Sequence, residues 1–321
     1  MSALYPWLLG DIGATHARFA WVASDERPLS HVRTFACDGF DGLHDAIQHY
    51  LKVEALGPPA QAALGVATPV ASDKVAFTNR AWAFSIAALK KRLGVGRLLV
   101  MNDFEAMAWA LPDLRAKELF QVGGDRSAKR QNLGLVGPGS GLGVAGLIAE
   151  DGAWHPVSGE GGHVSLVATN ALEWEVLQCL QKKFGHVSAE RVLSGPGLVN
   201  LYDALSAIAG QAPGRHQPQD IGSLAFEHQQ PQALQAFQLF AAWLGSVASD
   251  VALTLGAQGG VYIGGGIVPR YRHWLATSSF RPRFEDKGRF SAYLKKIPVY
   301  VIHADTPPAL RGARRALMKD L

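Results

Sequence analysis

The dipeptide Asn102-Asp103 is the first place where residue type and position together suggest chemistry. Leu98 to Met101 is a short apolar run that reads as a buried strand, and Phe104 to Leu111 is a helix-forming run that stops at Pro112. An amide and a carboxylate therefore stand at the carboxyl end of a buried strand, where α/β proteins keep their ligands. Both residue types are also favoured helix N-caps, so capping and chemistry compete for the same side chains.

A second kind of chemistry is anion binding by backbone. Leu9-Gly10-Asp11-Ile12-Gly13-Ala14-Thr15 and Val136-Gly137-Pro138-Gly139-Ser140-Gly141 are both apolar strands running into glycine turns with a hydroxyl, each followed by another apolar run. Glycine lets backbone N–H groups approach phosphate oxygens, and Thr15 or Ser140 adds a donor. Either could be an ordinary tight hairpin; the pair, in matching contexts, reads as a weak internal repeat of two phosphate loops with a nucleotide in the cleft between them. No Gly-Lys-Ser/Thr ending makes either a Walker loop. Gly141 to Gly146 does match G-x-G-x-x-G, but the segment after it is strand-like rather than helical, so the dinucleotide reading fails on context.

Three more ionisable residues lie in glycine-rich or motif-like surroundings. Glu160 and His163, in Gly159-Glu160-Gly161-Gly162-His163, offer an acceptor and a switchable group with glycines permitting close approach. An E-x-x-H spacing can ligate metal, but there is no second such pair, so a metal site is not expected. Glu190 could pair with Arg191 or a nearby lysine on a helix, or face a ligand.

The elements that must position these residues alternate. Trp7–Leu9 and Phe19–Val22 read as strands, Leu43–Leu51 as a helix, Ala62–Ala67 as a strand and Ile86–Leu93 as a helix leading into Leu98. The pattern restarts after Pro112 with strands at Leu133–Val136 and Val144–Ile148. A long helix from Pro231 carries apolar residues at Leu234, Phe237, Phe240, Leu244, Val247, Val251 and Leu255, steps of three and four that mark one buried face. It ends at Gly256, before the strand Gly260–Ile263 and Gly264-Gly265-Gly266; the strand Val299–Ile302 and a helix from Pro308 come next. Such alternation predicts an α/β fold with mixed sheets. The segment Gln211–Gln219, rich in Pro, Gly and Gln, reads as a surface loop.

The bulk composition excludes several classes. A 321-residue chain with 48% hydrophobic and 18% charged residues is of ordinary globular type, long enough for two domains. A net charge of +4, with basic residues scattered in short pairs, gives no nucleic-acid footprint. The two cysteines, Cys37 and Cys179, are far apart in apolar surroundings and read as reduced core residues. The start MSALYPWLLGD lacks the charge and apolar stretch of a signal peptide, and no uninterrupted apolar run is long enough to span a bilayer, so a cytoplasmic, membrane-free setting is expected.

In order and spacing, GDIGATHAR (10–18), MNDFEAMAWAL (101–111), GPGSGLGVAG (137–146), GEGGHV (159–164), HVSAERVLSGPGLVNLY (186–202), GGVYIGGGIVPR (259–270) and FEDKGRF (284–290) resemble the bacterial ATP-dependent glucokinase family, a branch of the actin and hexokinase ATPase group. The resemblance covers nearly the whole chain. It departs at Ala14 and His16, where the family often has Gly and Asn, at Pro138, and at Arg80, which replaces a usual His. Ala14 removes some turn freedom, and Pro138 lacks an N–H donor.

The resemblance implies a two-domain actin-like ATPase (ribonuclease H-like) fold with a cleft between domains, a small domain of 1–110 plus 300–321 and a large one of 111–299. It implies phosphorylation of D-glucose to glucose 6-phosphate with ATP and Mg²⁺, no tightly bound prosthetic group, and a homodimer. Asp103 is then the base for the sugar hydroxyl, and Asn102, Asp103, Glu160, His163 and Glu190 bind the sugar. The nucleotide set is Gly10, Asp11, Ile12, Gly13, Ala14, Thr15, Gly139, Ser140, Gly141, Gly264, Gly265 and Gly266. In this assignment Gly13 and Thr15 face the γ-phosphate, residues 139–141 the β-phosphate and 264–266 the adenosine, with Asp11 an outer-sphere Mg²⁺ anchor. Two other classes share the pattern. A sugar-sensing repressor would be expected to carry an extra N-terminal DNA-binding segment, and an actin-like ATPase would need no Glu160, His163 and Glu190 group.

Overall fold

The computed structural model describes residues 5–77, 80–125, 130–212 and 214–319. In chain order the strands are β1 (Trp7–Ile12), β2 (His16–Val22), β3 (Ser30–Ala36), β4 (Gln61–Val66), β5 (Lys74–Ala76), β6 (Ala83–Ser85), β7 (Arg97–Asn102), β8 (Leu119–Gln121), β9 (Leu133–Pro138), β10 (Leu142–Glu150), β11 (Ala153–Gly159), β12 (Gly260–Ile263) and β13 (Val299–Ile302). The α-helices are α1 (Leu43–Val53), α2 (Ile86–Leu93), α3 (Asp103–Ala110), α4 (Ala171–Phe184), α5 (Gly195–Ile208), α6 (Pro218–Phe226), α7 (Pro231–Leu255), α8 (Arg272–Leu275), α9 (Phe280–Glu285), α10 (Ser291–Lys296) and α11 (Pro308–Met318). They form two compact units, residues 1–114 with 304–321, and 115–303.

The first unit is built on a five-stranded sheet in the order β3-β2-β1-β4-β7. β1 pairs antiparallel with β2 but parallel with β4, and β4 pairs parallel with β7. β1 and β4 are buried at every position, as expected of central strands covered on both faces. One face carries Leu8, Phe19, Ile47, Tyr50 and Leu64; the other packs Trp7, Leu9 and Val22 against Leu310, Ala313 and Leu317 of α11. α11 also crosses α3 so closely that a Cβ on Gly312 would overlap the Ala106 carbonyl oxygen. The helix that begins at Asp103 is thus pinned backbone to backbone.

The second unit has a six-stranded sheet, β11-β10-β9-β12-β13-β8. Leaving out β8, its order and strand senses repeat those of the first sheet: two antiparallel neighbours on one side of the leading strand, two parallel ones on the other. α7 lies in its core. The sequence pattern predicts one buried face, but Ala236, Phe237, Leu239, Phe240, Ala241, Trp243 and Leu244 are all buried, so the helix is covered nearly all round. It is also the described segment long and apolar enough to cross a membrane; 72% of its apolar window is buried inside the fold, as in a core helix.

β13 pairs with both β12 and β8 and lies whole in the second unit, residues 115–303. The edge strands β3 and β11 are mostly exposed, and without an apolar stripe they leave no mark in the sequence. Pro218 opens α6, which shortens the expected 211–219 loop; within it, residue 213 lies outside the described residues. Both cysteines are free, Cys37 buried and Cys179 partly exposed.

Candidate active site

In the first unit, three parallel strands end level with one another: Ile12 of β1 is opposite Val66 of β4, and Val66 is opposite Asn102 of β7. The turn Gly13–Thr15 and the Asn102-Asp103 pair therefore leave the same carboxyl edge of one sheet, two strand spacings or about 10 Å apart. Residues some ninety positions apart in the chain are brought together by register alone.

The competition at Asn102-Asp103 is resolved by position. Asn102 is the N-cap of α3: its Oδ1 accepts from Phe104 N at 2.9 Å, and its Nδ2 donates to Thr68 O at 3.4 Å. A primary amide still has one N–H and one lone pair beyond these bonds. Asp103 is the first helical residue, half-buried, with Oδ1 accepting from Phe104 N at 2.9 Å.

Asp11 is nearly inaccessible and faces Arg18 directly across the hairpin, where Arg18 Nη1 donates to its Oδ2 at 3.0 Å. Burial pushes its carboxyl above the ordinary 3.8, against the opposing pull of Arg18. Gly10 and Ile12 lie within β1 rather than in the turn; the Ile12 side chain is fully buried and its carbonyl accepts from Ala67 N at 2.9 Å. Of the expected nucleotide set, Ile12 is thus a core residue. The Thr15 hydroxyl is 2.9 Å from His16 Nδ1.

In the second unit the turn Gly139–Gly141 closes β9 onto β10, with Gly139 N donating to Gly141 O at 2.8 Å. Pro138 ends β9, so its missing N–H falls at a strand terminus rather than inside the turn. Gly264, Gly265 and Gly266 follow β12 and pack on the same backbone. Gly265 has φ of +78° and abuts the Pro138 carbonyl, a position only glycine fills without strain. The triplet thus shapes the second turn itself.

Glu190 comes to this turn from a distance. Its Oε2 accepts from Leu142 N at 2.8 Å, the first residue of β10, while Arg191 stacks on Phe184 instead of pairing with it. Residues 164–166 run against 187–189, with Ala189 N on Val164 O at 2.9 Å and Leu166 N on Val187 O at 3.1 Å. That short bridge brings the Glu160–His163 turn beside Glu190. A Cβ on Gly162 would overlap the Leu142 carbonyl, so the turn lies flat on the start of β10. Glu160 and His163 are exposed there.

Two features escaped the sequence reading. The N-terminus of α5, capped by Ser194 Oγ on Gly197 N at 3.0 Å, reaches the second turn, with Gly195 N on Gly139 O at 2.8 Å. Its Ser-Gly-Pro start was a legible helix N-terminus, and such termini favour anions. Arg80 and Cys37, from separate segments, hold the first turn, and nothing in the linear sequence signals it. Among the described residues no group of three or more His, Cys, Asp or Glu side chains could hold a metal.

The family model described as Glucokinase matches residues 8–320. The glucokinase of Aromatoleum aromaticum is 50% identical over 317 residues, covering 98% of this chain and 96% of that protein. That of Neisseria meningitidis serogroup C is 42% identical, covering 99% and 96%. The crystal structure of a glucokinase from an Antarctic psychrotroph superposes with a TM-score of 0.87 at 36% identity, covering 98% of each chain. The duplicated sheet order and the two glycine hairpins are features of the actin-like ATPase fold expected from the sequence. With half its residues shared over nearly its whole length, the chain belongs to the glucokinase family.

Proposed function

We propose that this chain transfers the terminal phosphoryl group of ATP to the 6-hydroxyl of D-glucose, giving glucose 6-phosphate and ADP. Family membership supports the reaction, and one observation carries the residue assignment. The level ends of β1, β4 and β7 put the first glycine turn and Asp103 on one rigid sheet edge.

Phosphoryl transfer asks for positioning and charge neutralisation more than for covalent work by the protein. As the sugar oxygen bonds to the γ-phosphorus, the bond to the β–γ bridging oxygen breaks, ADP leaves, and Asp103 accepts the hydroxyl proton. That proton moves late in a loose transition state, so the fixed N1 position of Asp103 on α3 matters more than its basicity. Asn102 offers the sugar its remaining donor and acceptor. Glu160, His163 and Glu190 pair with other hydroxyls, a polar set that penalises analogues lacking one. Gly13–Thr15 serve the γ-phosphate, and Gly139–Gly141 with the α5 N-terminus the β-phosphate.

Magnesium bound with the nucleotide would offset phosphate charge, held through water by Asp11. A buried carboxylate with one oxygen on Arg18 suits that outer-sphere part, since Mg²⁺ keeps most of its waters and takes few carboxylates. The same reading carries a cytoplasmic homodimer, which sedimentation velocity checks.

The test is Asp103→Asn in a coupled assay over a panel of hexoses and phosphoryl donors. We expect kcat with glucose and ATP to fall by roughly 10²–10⁴ while glucose still binds. Normal turnover by this variant would remove Asp103 from the base role. Preference for another hexose or donor would change the substrate.

A further inference from the structure

The turn Gly13–Thr15 is held from one side by all three of its carbonyls. Gly13 O faces the Cys37 thiol at 3.8 Å, Ala14 O accepts from Arg80 Nε at 3.0 Å, and Thr15 O accepts from Cys37 N at 2.9 Å. A peptide unit is planar and trans, so fixing a carbonyl aims the next residue's N–H the opposite way. Holding Gly13 O and Ala14 O therefore aims the amides of Ala14 and Thr15 together, away from Arg80 and Cys37. Among the described residues neither amide has an acceptor. Adjacent N–H groups turned one way make an anion-binding concavity.

Arg80 is the only charged group among these holders, and it is unusually committed. Its side chain is nine-tenths buried, its Nη2 donates to Asp38 Oδ1 at 2.7 Å, and its guanidinium lies 4.4 Å from the centre of the Trp82 ring. Its Nη1 is buried with no acceptor among the described residues. Burying a guanidinium with a donor unmet is costly, and surface anchoring could be had more cheaply. The fork suits a part with three demands at once: a carbonyl, a carboxylate and an aromatic face.

We propose that Arg80 is a positioning residue for nucleotide binding, which holds the Ala14 carbonyl so that the Thr15 amide points at the terminal phosphate of ATP. This rests on the glucose-kinase reading above. Arg80 touches neither substrate; it acts through the turn. Asp38, almost fully exposed, steadies the guanidinium from outside.

The test compares Arg80→Met, Arg80→Lys and Asp38→Asn with Trp82→Phe, which keeps an aromatic face but loses the indole N–H to Phe40 O at 3.3 Å. KM is measured separately for ATP and glucose, and MgADP and MgATP binding by calorimetry. Both Arg80 variants should raise KM for ATP about tenfold, the worth of one misaligned hydrogen bond to a charged group, with KM for glucose changed less than twofold. Their MgATP affinity should fall more than their MgADP affinity, and Asp38→Asn should follow at about two- to threefold. Trp82→Phe should lower Tm without moving the ratio of the two KM values. Unchanged KM for ATP, or a parallel rise in both KM values, overturns the proposal; if the Met variant fails to fold, Arg80→Lys decides by the same split. Wild-type protein that binds MgATP but shows no glucose-dependent turnover would count against the glucose-kinase reading instead, and the nucleotide titrations would still judge Arg80.

Discussion

The two units share one sheet plan and use it differently. Each leading strand runs into a glycine hairpin, β1 into β2 and β9 into β10, with two parallel strands on the other side. In the first hairpin the carboxylate is built in: Asp11 lies within β1, buried and paired with Arg18 across the strands. In the second, Pro138 ends the strand, and the carboxylate arrives from a segment about fifty residues on, as Glu190 on Leu142 N at 2.8 Å. A repeated backbone frame thus fixes where a turn is presented, and each copy draws its charged group from a different part of the chain.

The buried carboxylates of the two units differ in the same way. Burial pushes Asp11 up, and its single partner does not restore it. Burial also pushes Glu173, at the start of α4, upward; yet Arg283, bidentate at 2.6 and 3.2 Å, and the Thr169 N and Oγ at 2.8 and 3.0 Å hold it below 4.5. Glu173 is fully satisfied and structural, whereas Asp11 is poorly compensated where chemistry is proposed, as functional groups commonly are.

If this contrast is sound, removing Glu173 should cost stability and removing Asp11 activity. The largest effect is expected from Glu173→Ala, which leaves Arg283 buried and unpaired at a cost of about 3–5 kcal/mol, measured by denaturant unfolding. A loss under about 1 kcal/mol would erase the distinction. Next, Gly312→Ala should force α11 from α3 and cost about 1–3 kcal/mol; wild-type stability would mean that α3 is not pinned as described. Asp11→Asn removes a desolvated charge and leaves Arg18 partly exposed to water, so Tm should hold or rise slightly while turnover falls about 10–100-fold. A drop in Tm with full activity would reverse the assignment.

The smallest effect is in the pH dependence of Tm. Asp11, with its folded pKa raised above 3.8, makes stability fall as pH rises through the interval between 3.8 and that folded value. Glu173, with its folded pKa held below 4.5, contributes stability that is complete above 4.5 and lost as pH falls through its folded value. Asp11→Asn should remove the first limb and leave the acid loss intact.

Much of this was legible in the sequence. The central strands and α7 are continuous or periodic apolar runs, and the glycine turns interrupt them at matched places. The edge strands β3 and β11 were not legible, because a strand with one neighbour and little burial needs no apolar pattern. At the site, Asn102 and Asp103 were marked out, but which one caps α3 depended on where the helix begins. The β1–β4 register shows that the Ile12 side chain belongs to the core, which its place in a glycine-rich stretch did not reveal. That Arg80 would meet the neighbouring Cys37 and Asp38 gave no linear signal, because 42 positions separate Arg80 from Asp38.

By itself the sequence determined which residue types were available and which segments had to be buried, because both depend on local composition and period. Only the tertiary structure decided which of those residues share an edge. Strand register sets Asp103 level with the first turn, and a two-residue bridge sets Glu160 and His163 beside Glu190. Such neighbours are fixed by hydrogen-bonded pairing between segments far apart in the chain, which no local pattern encodes.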